Sequence, residues 1–210
     1  LMQSDVVVGS AIVDMYVKCG SLVIAQAVFH KLPMRNVVSW TALIVGYAEH
    51  GHSEKAIEYF ERMLLEGISS DGATLVSMLK ICGTLGDLKK GQEIHSEIER
   101  HGHLKGDLSI GSALIEMYAK CGFSNRAREV FDNLLDQDVV IWSTLIEGYI
   151  ENEHNEEALE CLETMQREGI SPNPITFVCT LKACGSVGAV EKGREIHDEI
   201  VCRGLVEKKL

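Results

Sequence analysis

The sequence Gly9-Ser-Ala-Ile-Val-Asp-Met-Tyr-Val-Lys-Cys-Gly20 returns 102 positions later as Gly111-Ser-Ala-Leu-Ile-Glu-Met-Tyr-Ala-Lys-Cys-Gly122. The same spacing relates Trp40 to Trp142. It also relates the pairs Cys82/Cys184 and His95/His197. Two copies of one 102-residue unit therefore fill nearly all of this 210-residue chain. A long internal period of this kind is typical of helical-repeat proteins, so it takes precedence over single motifs in predicting the fold.

Each 102-residue unit divides into blocks of 31, 35 and 36 residues. In the middle block, Trp40, Leu43, Ile44 and Tyr47 follow the spacing of one apolar helical face, and a second such face begins after Ser53, a predicted N-cap. Each block thus predicts two helices, and a helical hairpin must stack on neighbours to bury its apolar faces. The predicted domain organisation is a tail at 1–5 and blocks at 6–36, 37–71, 72–107, 108–138, 139–173 and 174–209.

The predicted fold is all-α, a right-handed superhelical solenoid of about six helix-turn-helix motifs, continuous and without an internal domain boundary. In the long blocks, Gly83 and Gly185 are expected to end the first helix, and Asp87 is expected to cap the second. Residues 1–5 resemble the end of a preceding motif and contain neither a signal-peptide nor a transit-peptide pattern. The chain is therefore expected to be an internal fragment whose targeting segment lies outside it.

Composition narrows the classes of function. The chain is 46% hydrophobic but only 6% aromatic, which suits packed helices better than a β-sandwich. A formal charge of −11 argues against tight nonspecific binding to a polyanion, although it leaves room for a local basic groove. No apolar run approaches the roughly 18–20 residues that span a bilayer, so no membrane association is expected. Four of the seven cysteines recur at repeat-equivalent positions, which favours packing over disulfides and a reducing compartment.

The tetratricopeptide repeat shares the Trp-x2-Leu-x3-Tyr spacing, but its period is a constant 34 residues and it prefers Gly where Ile44 stands. The segments Val37-Val-Ser-Trp-Thr41 and Val139-Val-Ile-Trp-Ser143 resemble instead the pentatricopeptide repeat family, in its plant subclass of alternating short, standard and long motifs. Met165-x3-Gly169-Ile-Ser-Pro-Asn173 resembles the end of the standard motif. Leu79-Lys-Ile-Cys82 and Gly91-Gln-Glu-Ile-His95 resemble the long motif. The resemblance runs in register over residues 6–209.

This resemblance implies sequence-specific binding of single-stranded organellar RNA, with one base per repeat. In the family, the fifth and the last residue of a motif recognise the base. The implied pairs are Ser10 with Asn36, Thr41 with Asp71, Ser112 with Asp138, and Ser143 with Asn173. In the long motifs the pairs are Val76 with Asp107 and Val178 with Lys209, and these should discriminate poorly because valine forms no side-chain hydrogen bond.

Two further sets of positions are implied by the resemblance. The second residue of a motif packs against base faces, and here these residues are Val7, Val38, Ser109 and Val140. Ordinary packing between helices is the alternative for them. A cation at the thirteenth position contacts phosphate, and Lys18 and Lys120 stand there in the short motifs, unless they are merely solvated charges at helix ends. The standard motifs carry Glu49 and Glu151 at that position, so modest and salt-dependent affinity is expected.

Some family members end in a zinc-dependent deaminase domain, and His95-Ser-Glu97 and His197-Asp-Glu199 carry part of that pattern. The Cys-x-x-Cys that would complete a zinc site occurs nowhere in the chain, so we expect no metal, no cofactor and no enzymatic activity. The predicted function is RNA recognition in a plant organellar editing or processing factor, with any deaminase domain elsewhere in the protein or on a partner. The alternative is a protein-interaction scaffold, and multiple organellar RNA editing factors are the implied partners of the long motifs.

Overall fold

The computed structural model describes residues 2–102 and 107–205, and every secondary-structure element in these ranges is a helix. There are twelve: α1 Met2–Lys18, α2 Leu22–Lys31, α3 Val37–Glu49, α4 Ser53–Leu65, α5 Gly72–Leu85, α6 Leu88–His101, α7 Leu108–Lys120, α8 Ser124–Asp132, α9 Val139–Glu151, α10 Asn155–Arg167, α11 Pro174–Val187 and α12 Val190–Cys202. The prediction of an all-α helical repeat is confirmed. None of the described helices is long and apolar enough to span a bilayer.

The described residues form two compact units, one within residues 2–85 and 89–102 and the other within 86–88 and 107–205. In the first unit, α1 packs on α3 and α3 packs on α5, so the first helices of successive blocks form one layer. In the second unit, α7, α9 and α11 pack in the same order. Helices α2, α4, α8 and α10 each contact the first helix of their own block and of the next one. Continuity and handedness across all six blocks stay a prediction.

The core of each unit lies between the two layers and is built around one tryptophan. Trp40 is fully buried and meets Phe29 edge to face, with ring centroids 4.7 Å apart. Trp142 is equally buried and meets Phe131 in the same way at 4.5 Å. Both indole nitrogens are buried without a hydrogen-bond partner in the described part of the chain. Apolar packing, rather than indole hydrogen bonding, therefore explains the recurrence of this residue.

The helix boundaries both match and correct the predicted ones. Helices α3, α5, α7, α9 and α11 begin at the first residue of predicted blocks, whereas α1 begins at Met2, inside the predicted tail at 1–5. Ser53 is not an N-cap, because it is already the first residue of α4 and His52 precedes it without a side-chain capping bond.

Gly83 and Gly185 do not end their helices. Helices α5 and α11 continue to Leu85 and Val187, and the glycines that follow them, Gly86 and Gly188, have φ of 67° and 70°. Only the later glycine of each pair adopts the left-handed conformation that ends a helix, so the terminating residue lies three positions beyond the predicted one.

None of the seven cysteines forms a disulfide. Cys82 and Cys184 are buried, as the packing interpretation predicts. Cys19 is exposed and Cys121 is half-buried, so packing does not explain that pair equally well.

Candidate nucleic-acid interface

A cleft of about 410 Å³ lies on the layer of first helices in the first unit. It is lined by the predicted positions of the first two motifs together with three smaller contributors: Val7, Ser10, Ala11, Asp14, Asn36, Val38, Thr41, Ala42 and Asp71. Residues as far apart in the sequence as Val7 and Asp71 thus surround one cavity. Its walls combine apolar side chains with hydroxyl, amide and carboxylate groups, a combination typical of ligand-binding clefts.

The first predicted pair is in contact. Asn36 is the N-cap of α3, and its Oδ1 accepts a hydrogen bond of 2.9 Å from the Ser39 backbone N–H. The Ser10 hydroxyl lies 3.1 Å from the same Oδ1 and 2.9 Å from the Val6 carbonyl oxygen. Because an amide nitrogen cannot accept a hydrogen bond, the backbone donor determines the orientation of the Asn36 amide. Its Nδ2 group therefore remains a donor without a partner in the described chain.

The second predicted pair is in contact as well. The Thr41 hydroxyl donates to Asp71 Oδ2 at 2.9 Å, while Asp71 Oδ1 accepts from the Thr74 backbone N–H at 2.9 Å. The hydroxyls of Thr41 and Thr74 are also 2.9 Å apart. Both carboxylate oxygens keep lone pairs for further donors, because an ionised carboxylate accepts about four hydrogen bonds.

In the second unit the predicted pairs are arranged differently. Asp138 caps α9 by accepting from the backbone N–H groups of Val140 and Ile141, at 2.9 and 3.0 Å. The Ser112 hydroxyl lies 3.1 Å from the Thr144 hydroxyl and forms no hydrogen bond with Asp138 in the described structure. The predicted pair Ser112–Asp138 is therefore not joined by a hydrogen bond among the described residues.

The pair Ser143–Asn173 is linked through a third residue. The Ser143 hydroxyl lies 2.7 Å from the Thr176 hydroxyl, which in turn lies 3.1 Å from Asn173 Oδ1. Asn173 Oδ1 also accepts from the Thr176 backbone N–H at 2.9 Å, so the cap orients this amide in the same way as that of Asn36. Its Nδ2 has no partner among the described residues.

The second residues of the motifs lie on the surface. Val7, Val38 and Val140 are 65%, 55% and 54% exposed, and Ser109 is exposed too. Side chains exposed to this extent contribute little to the inter-helix core, which argues against ordinary packing at these positions, while their contact with bases stays a prediction. Three exposed valines in equivalent places are suited to apolar contact with a flat partner such as a base.

The predicted phosphate contacts are already occupied. Lys18 Nζ lies 2.7 Å from Asp14 Oδ2, and Lys120 Nζ lies 2.6 Å from Glu116 Oε1, each pair one helical turn apart. The hydrogen bond to the carboxylate raises the pKa of both lysines. Each cation is thus charged but neutralised locally, so a phosphate must compete with a carboxylate for it.

The long-motif positions give little more to a ligand. Val76 is half-buried and Val178 is 54% exposed. Asp107 accepts from the Ser109 backbone N–H at 3.0 Å and so caps α7. Lys209 lies outside the described residues.

The two histidines of the His-x-Glu pairs do not form a metal site. His95 Nε2 lies 3.7 Å from Glu99 Oε1, and Glu97 pairs with Arg100 at 2.6 Å. His197 is exposed. Across the described ranges, no cluster of three or more His, Cys, Asp or Glu side chains could hold a metal ion.

The sequence interpretation missed the third residue of the helix that follows each predicted last residue. Ser39, Thr74 and Thr176 are completely buried, and each supplies the backbone N–H that anchors the preceding Asn or Asp. At Asn36 and Asn173 the side chain also completes a capping box. The pattern of Asn, two residues, then Ser or Thr could have revealed these residues, because capping boxes have that spacing.

Comparison with known proteins agrees with this geometry. The profile described as PPR repeat family matches residues 35–84 and 137–186, and that described as PPR repeat matches 73–103 and 112–139. A chloroplastic pentatricopeptide repeat-containing protein of Arabidopsis thaliana is 38% identical over 94% of this chain and 32% of its own length. A putative mitochondrial one is 34% identical over 98% of this chain and 34% of its own. The chain spans about a third of the length of these curated relatives.

Solved structures show the same fold. A pentatricopeptide repeat protein from maize matches with a TM-score of 0.70 at 22% identity, covering 93% of this chain and 29% of the other. The same protein in complex with an 18-nucleotide psaJ RNA element matches with a TM-score of 0.65, 22% identity and coverage of 94% and 35%. The PPR domain of an Arabidopsis thaliana protein-only RNase P in complex with tRNA gives 0.66 at 10% identity, with 91% and 99% covered. The period, the helix pairs and the matched profiles together establish that the chain belongs to the pentatricopeptide repeat family.

Proposed function

We propose that this chain is a sequence-specific, single-stranded RNA-binding module of an organellar RNA-editing or RNA-processing factor. The observation that carries the proposal is the cleft of the first unit, where two hydrogen-bonded pairs, Ser10–Asn36 and Thr41–Asp71, lie beside the exposed valines. A base stacked on apolar side chains, with its Watson–Crick edge towards polar groups, is the usual mode of single-strand recognition. A related maize protein was solved with RNA, and similar proteins are named chloroplastic or mitochondrial.

Hydrogen-bond chemistry supplies the expected base at each motif. The guanine edge presents two donors beside O6, which suits the acceptor-only carboxylates of Asp71 and Asp138. The adenine edge presents one acceptor, N1, and the unpartnered Nδ2 groups of Asn36 and Asn173 can donate to it. With RNA running 5′ to 3′ from the N-terminus, as in the family, the expected site is A-G-n-G-A-n. In the whole protein we place this module in a chloroplast or mitochondrion, with the deaminase in cis or in trans.

The test is the affinity of the chain for hexamer RNAs that carry G or A at the second position. Asp71→Asn should move the preference at that position from guanine towards adenine, by about 1–3 kcal/mol if a base contact in duplex DNA is a fair guide. The fold should be retained, because asparagine caps helices as well as aspartate does. Fluorescence anisotropy at two salt concentrations gives the ratio of dissociation constants.

Asp198→Asn is the matched control, because it removes the same charge from an exposed position on α12. It should change both affinities together and leave their ratio as it is. A ratio that Asp71→Asn also leaves unchanged would show that Asp71 does not recognise a base.

A protein-interaction scaffold is the second candidate, and the acidic surface between α7 and α9 favours it. Glu116, Glu147 and Glu151 surround Lys120 there, in a depression of about 160 Å³. Carboxylates repel phosphate and attract basic protein segments. In this reading the partners are editing-factor proteins, which would dock on this acidic surface of a short and a standard motif as well as on the long motifs. Absence of RNA binding at low salt, where electrostatic attraction is strongest, would favour this candidate.

A further inference from the structure

Four predicted recognition residues are each followed, three positions later, by a completely buried residue. These third residues are Ser39, Thr74, Ile141 and Thr176. Three carry a hydroxyl and one does not, although all four have the same role in the backbone of the cap. A buried serine or threonine hydroxyl needs a hydrogen-bond partner, so the identity of that partner shows which side chain the hydroxyl orients.

The Thr74 hydroxyl has its partner in the recognition pair itself. Asp71 is acceptor-only when ionised, so the single Thr41 hydroxyl hydrogen is directed to Asp71 Oδ2. The 2.9 Å contact between Thr41 and Thr74 must then be donated by Thr74. This order leaves Thr41 without a hydrogen for a ligand and presents only a lone pair to the cleft. A ligand atom that bonds to Thr41 must be a donor, as guanine N1 and N2 are.

Thr176 holds the equivalent hydroxyl in the second unit. The Ser143 hydroxyl lies 2.6 Å from the Val139 carbonyl oxygen and 2.7 Å from the Thr176 hydroxyl. Because Thr176 uses its one hydrogen to donate to Asn173 Oδ1, the contact between Ser143 and Thr176 is donated by Ser143. Thr176 therefore keeps Ser143 in one rotamer, within the layer of first helices. At the corresponding position beside Asp138 stands Ile141, and there the Ser112 hydroxyl lies against Thr144 instead. The presence of the buried hydroxyl thus coincides with an ordered link between the fifth and last residues.

We propose that Thr74 and Thr176 are positioning residues for base recognition, acting through the hydroxyls of Thr41 and Ser143. The inference rests on the proposed function, and it adds a residue from the next motif to each recognising pair. It also distinguishes two pairs that both combine a hydroxyl with a carboxylate. Thr74 orients the pair Thr41–Asp71 through its hydroxyl, whereas the residue beside Ser112–Asp138 is Ile141, which has no hydroxyl. The second base of the site should therefore be discriminated more strongly than the fourth.

The experiment measures the guanine-to-adenine affinity ratio at the second and fourth bases separately. Thr74→Val removes the hydroxyl and keeps the shape, and it should lower the ratio at the second base about threefold to tenfold, as expected for one hydrogen bond. The ratio at the fourth base should not change. Thr74→Ser retains the hydroxyl and should retain the ratio, which a purely steric role of Thr74 would not predict.

Ile141→Thr is the reciprocal variant and should raise the ratio at the fourth base. Thr84→Val is the control, because Thr84 is exposed on the same helix as Thr74 and donates only to the Lys80 carbonyl. Thermal melting monitors folding. If Thr74→Val does not fold, the guanine-to-adenine affinity ratios of Thr74→Ser and Ile141→Thr test the positioning role instead.

An unchanged ratio at the second base in Thr74→Val, or an unchanged ratio at the fourth base in Ile141→Thr, would overturn the inference. A ratio at the second base that falls in Thr74→Ser as much as in Thr74→Val would overturn it too. If Asp71→Asn still shifts the base preference in the same assay, the proposed function survives and only the positioning role is wrong. If no variant and not even the unaltered chain distinguishes bases at either position, the proposed function itself fails.

Discussion

The two units share their helix order but differ in the surface of their first-helix layer. Val7, Ala42 and Val45 of the first unit correspond, 102 positions later, to Ser109, Thr144 and Glu147. The first unit thus has an open, mainly apolar cleft, whereas the equivalent surface of the second carries a carboxylate beside Lys120. The repeat retains the two buried tryptophans but varies these three positions on the first-helix layer. Under the proposed function, affinity for an anionic chain should therefore be unequal between the units.

The cores also differ, at the position where Tyr59 corresponds to Cys161. The ring centroids of Tyr59 and Trp40 are 6.2 Å apart, and the Tyr59 ring is stacked on Tyr47. The Tyr59 hydroxyl forms a 2.9 Å hydrogen bond with His30 Nε2. Cys161 takes that place in the second unit, where Arg128 Nη1 approaches its sulfur at 3.6 Å. Burial raises the pKa of Tyr59 to about 12 and that of Cys161 to about 11, so both are neutral at physiological pH.

The largest expected effect tests this difference between the cores. Trp40→Ala should lower the free energy of unfolding by about 3–5 kcal/mol. Trp142→Ala should cost less, because Trp40 has two aromatic neighbours and each aromatic pair adds about 0.5–1.5 kcal/mol. Urea denaturation followed by circular dichroism measures the loss. Each variant retains one of the two tryptophans, whose fluorescence reports on the other unit. Equal losses would mean that Tyr59 does not strengthen the first core.

A smaller loss of stability is expected when a glycine at the contact between two neighbouring first helices is replaced by alanine. A Cβ added at Gly46 would lie 2.4 Å from Val17 Cγ1, and one added at Gly148 would lie 2.7 Å from Ala119 Cβ. Both alanine variants should lose about 1–3 kcal/mol of stability through overpacking.

The two clashes differ in whether a second substitution relieves them. Val17→Ala should recover part of the loss in Gly46→Ala, because it removes the closest atoms and leaves Val17 Cβ at 3.2 Å. In Gly148→Ala the clashing atom is Ala119 Cβ itself, so no smaller side chain with a Cβ can replace Ala119 and relieve the clash. Thermal melts of the single and double variants measure the coupling, and a double variant no more stable than Gly46→Ala would contradict it.

The smallest expected effect is a change in RNA affinity when the charge at the equivalent positions Val45 and Glu147 is altered. Glu147→Val gives the second unit the residue of the first, and it should raise RNA affinity by about fivefold, the equivalent of about 1 kcal/mol for one charge at 4 Å in water. Val45→Glu should lower it by a similar factor. Both changes should fade at high salt because ions screen exposed charges. Affinities of Val45→Glu and Glu147→Val that match the unaltered chain at low salt would show that this surface does not meet phosphate.

The same surface predicts a pH dependence. Burial raises the pKa of Glu151, and the charges of Glu147 and Glu116 raise it further, against the opposing effect of Lys120. The folded state therefore holds this proton more tightly than the unfolded chain does, so ionised Glu151 destabilises the fold at neutral pH, and acidification removes that penalty. RNA affinity should likewise increase as the pH falls towards this pKa, and less so in Glu147→Val.

The sequence predicted the twelve helices well because each first helix has an apolar face of regular spacing and a repeat to confirm it. The predictions that Ser53 caps α4 and that Gly83 ends α5 are wrong. The type of a residue allows it to cap or to end a helix, but its backbone conformation determines whether it does so. His52 rather than Ser53 takes the cap position, and Gly86 rather than Gly83 adopts positive φ.

The resemblance to the family pairs Ser10 with Asn36 and Thr41 with Asp71, and hydrogen bonds join both pairs in the structure. The contacts of the other pairs were not predictable in this way. The Ser112 hydroxyl lies against Thr144 on α9, and no feature of the sequence indicates that contact. The carboxylates that pair with Lys18 and Lys120 come from one turn earlier on the same helices, and this i, i+4 spacing is visible in the sequence.

Each last residue of a motif that the structure describes is also the N-cap of the next helix, and these two roles restrict the substitutions that the position can accept. Asn36, Asp71, Asp138 and Asn173 belong to the few side chains that cap a helix well, and asparagine and aspartate do so almost equally. Exchange between these two costs the fold little while it exchanges a donor for an acceptor. Under the proposed function, new RNA targets are acquired one base at a time, whereas an apolar replacement would lose both the base contact and the cap.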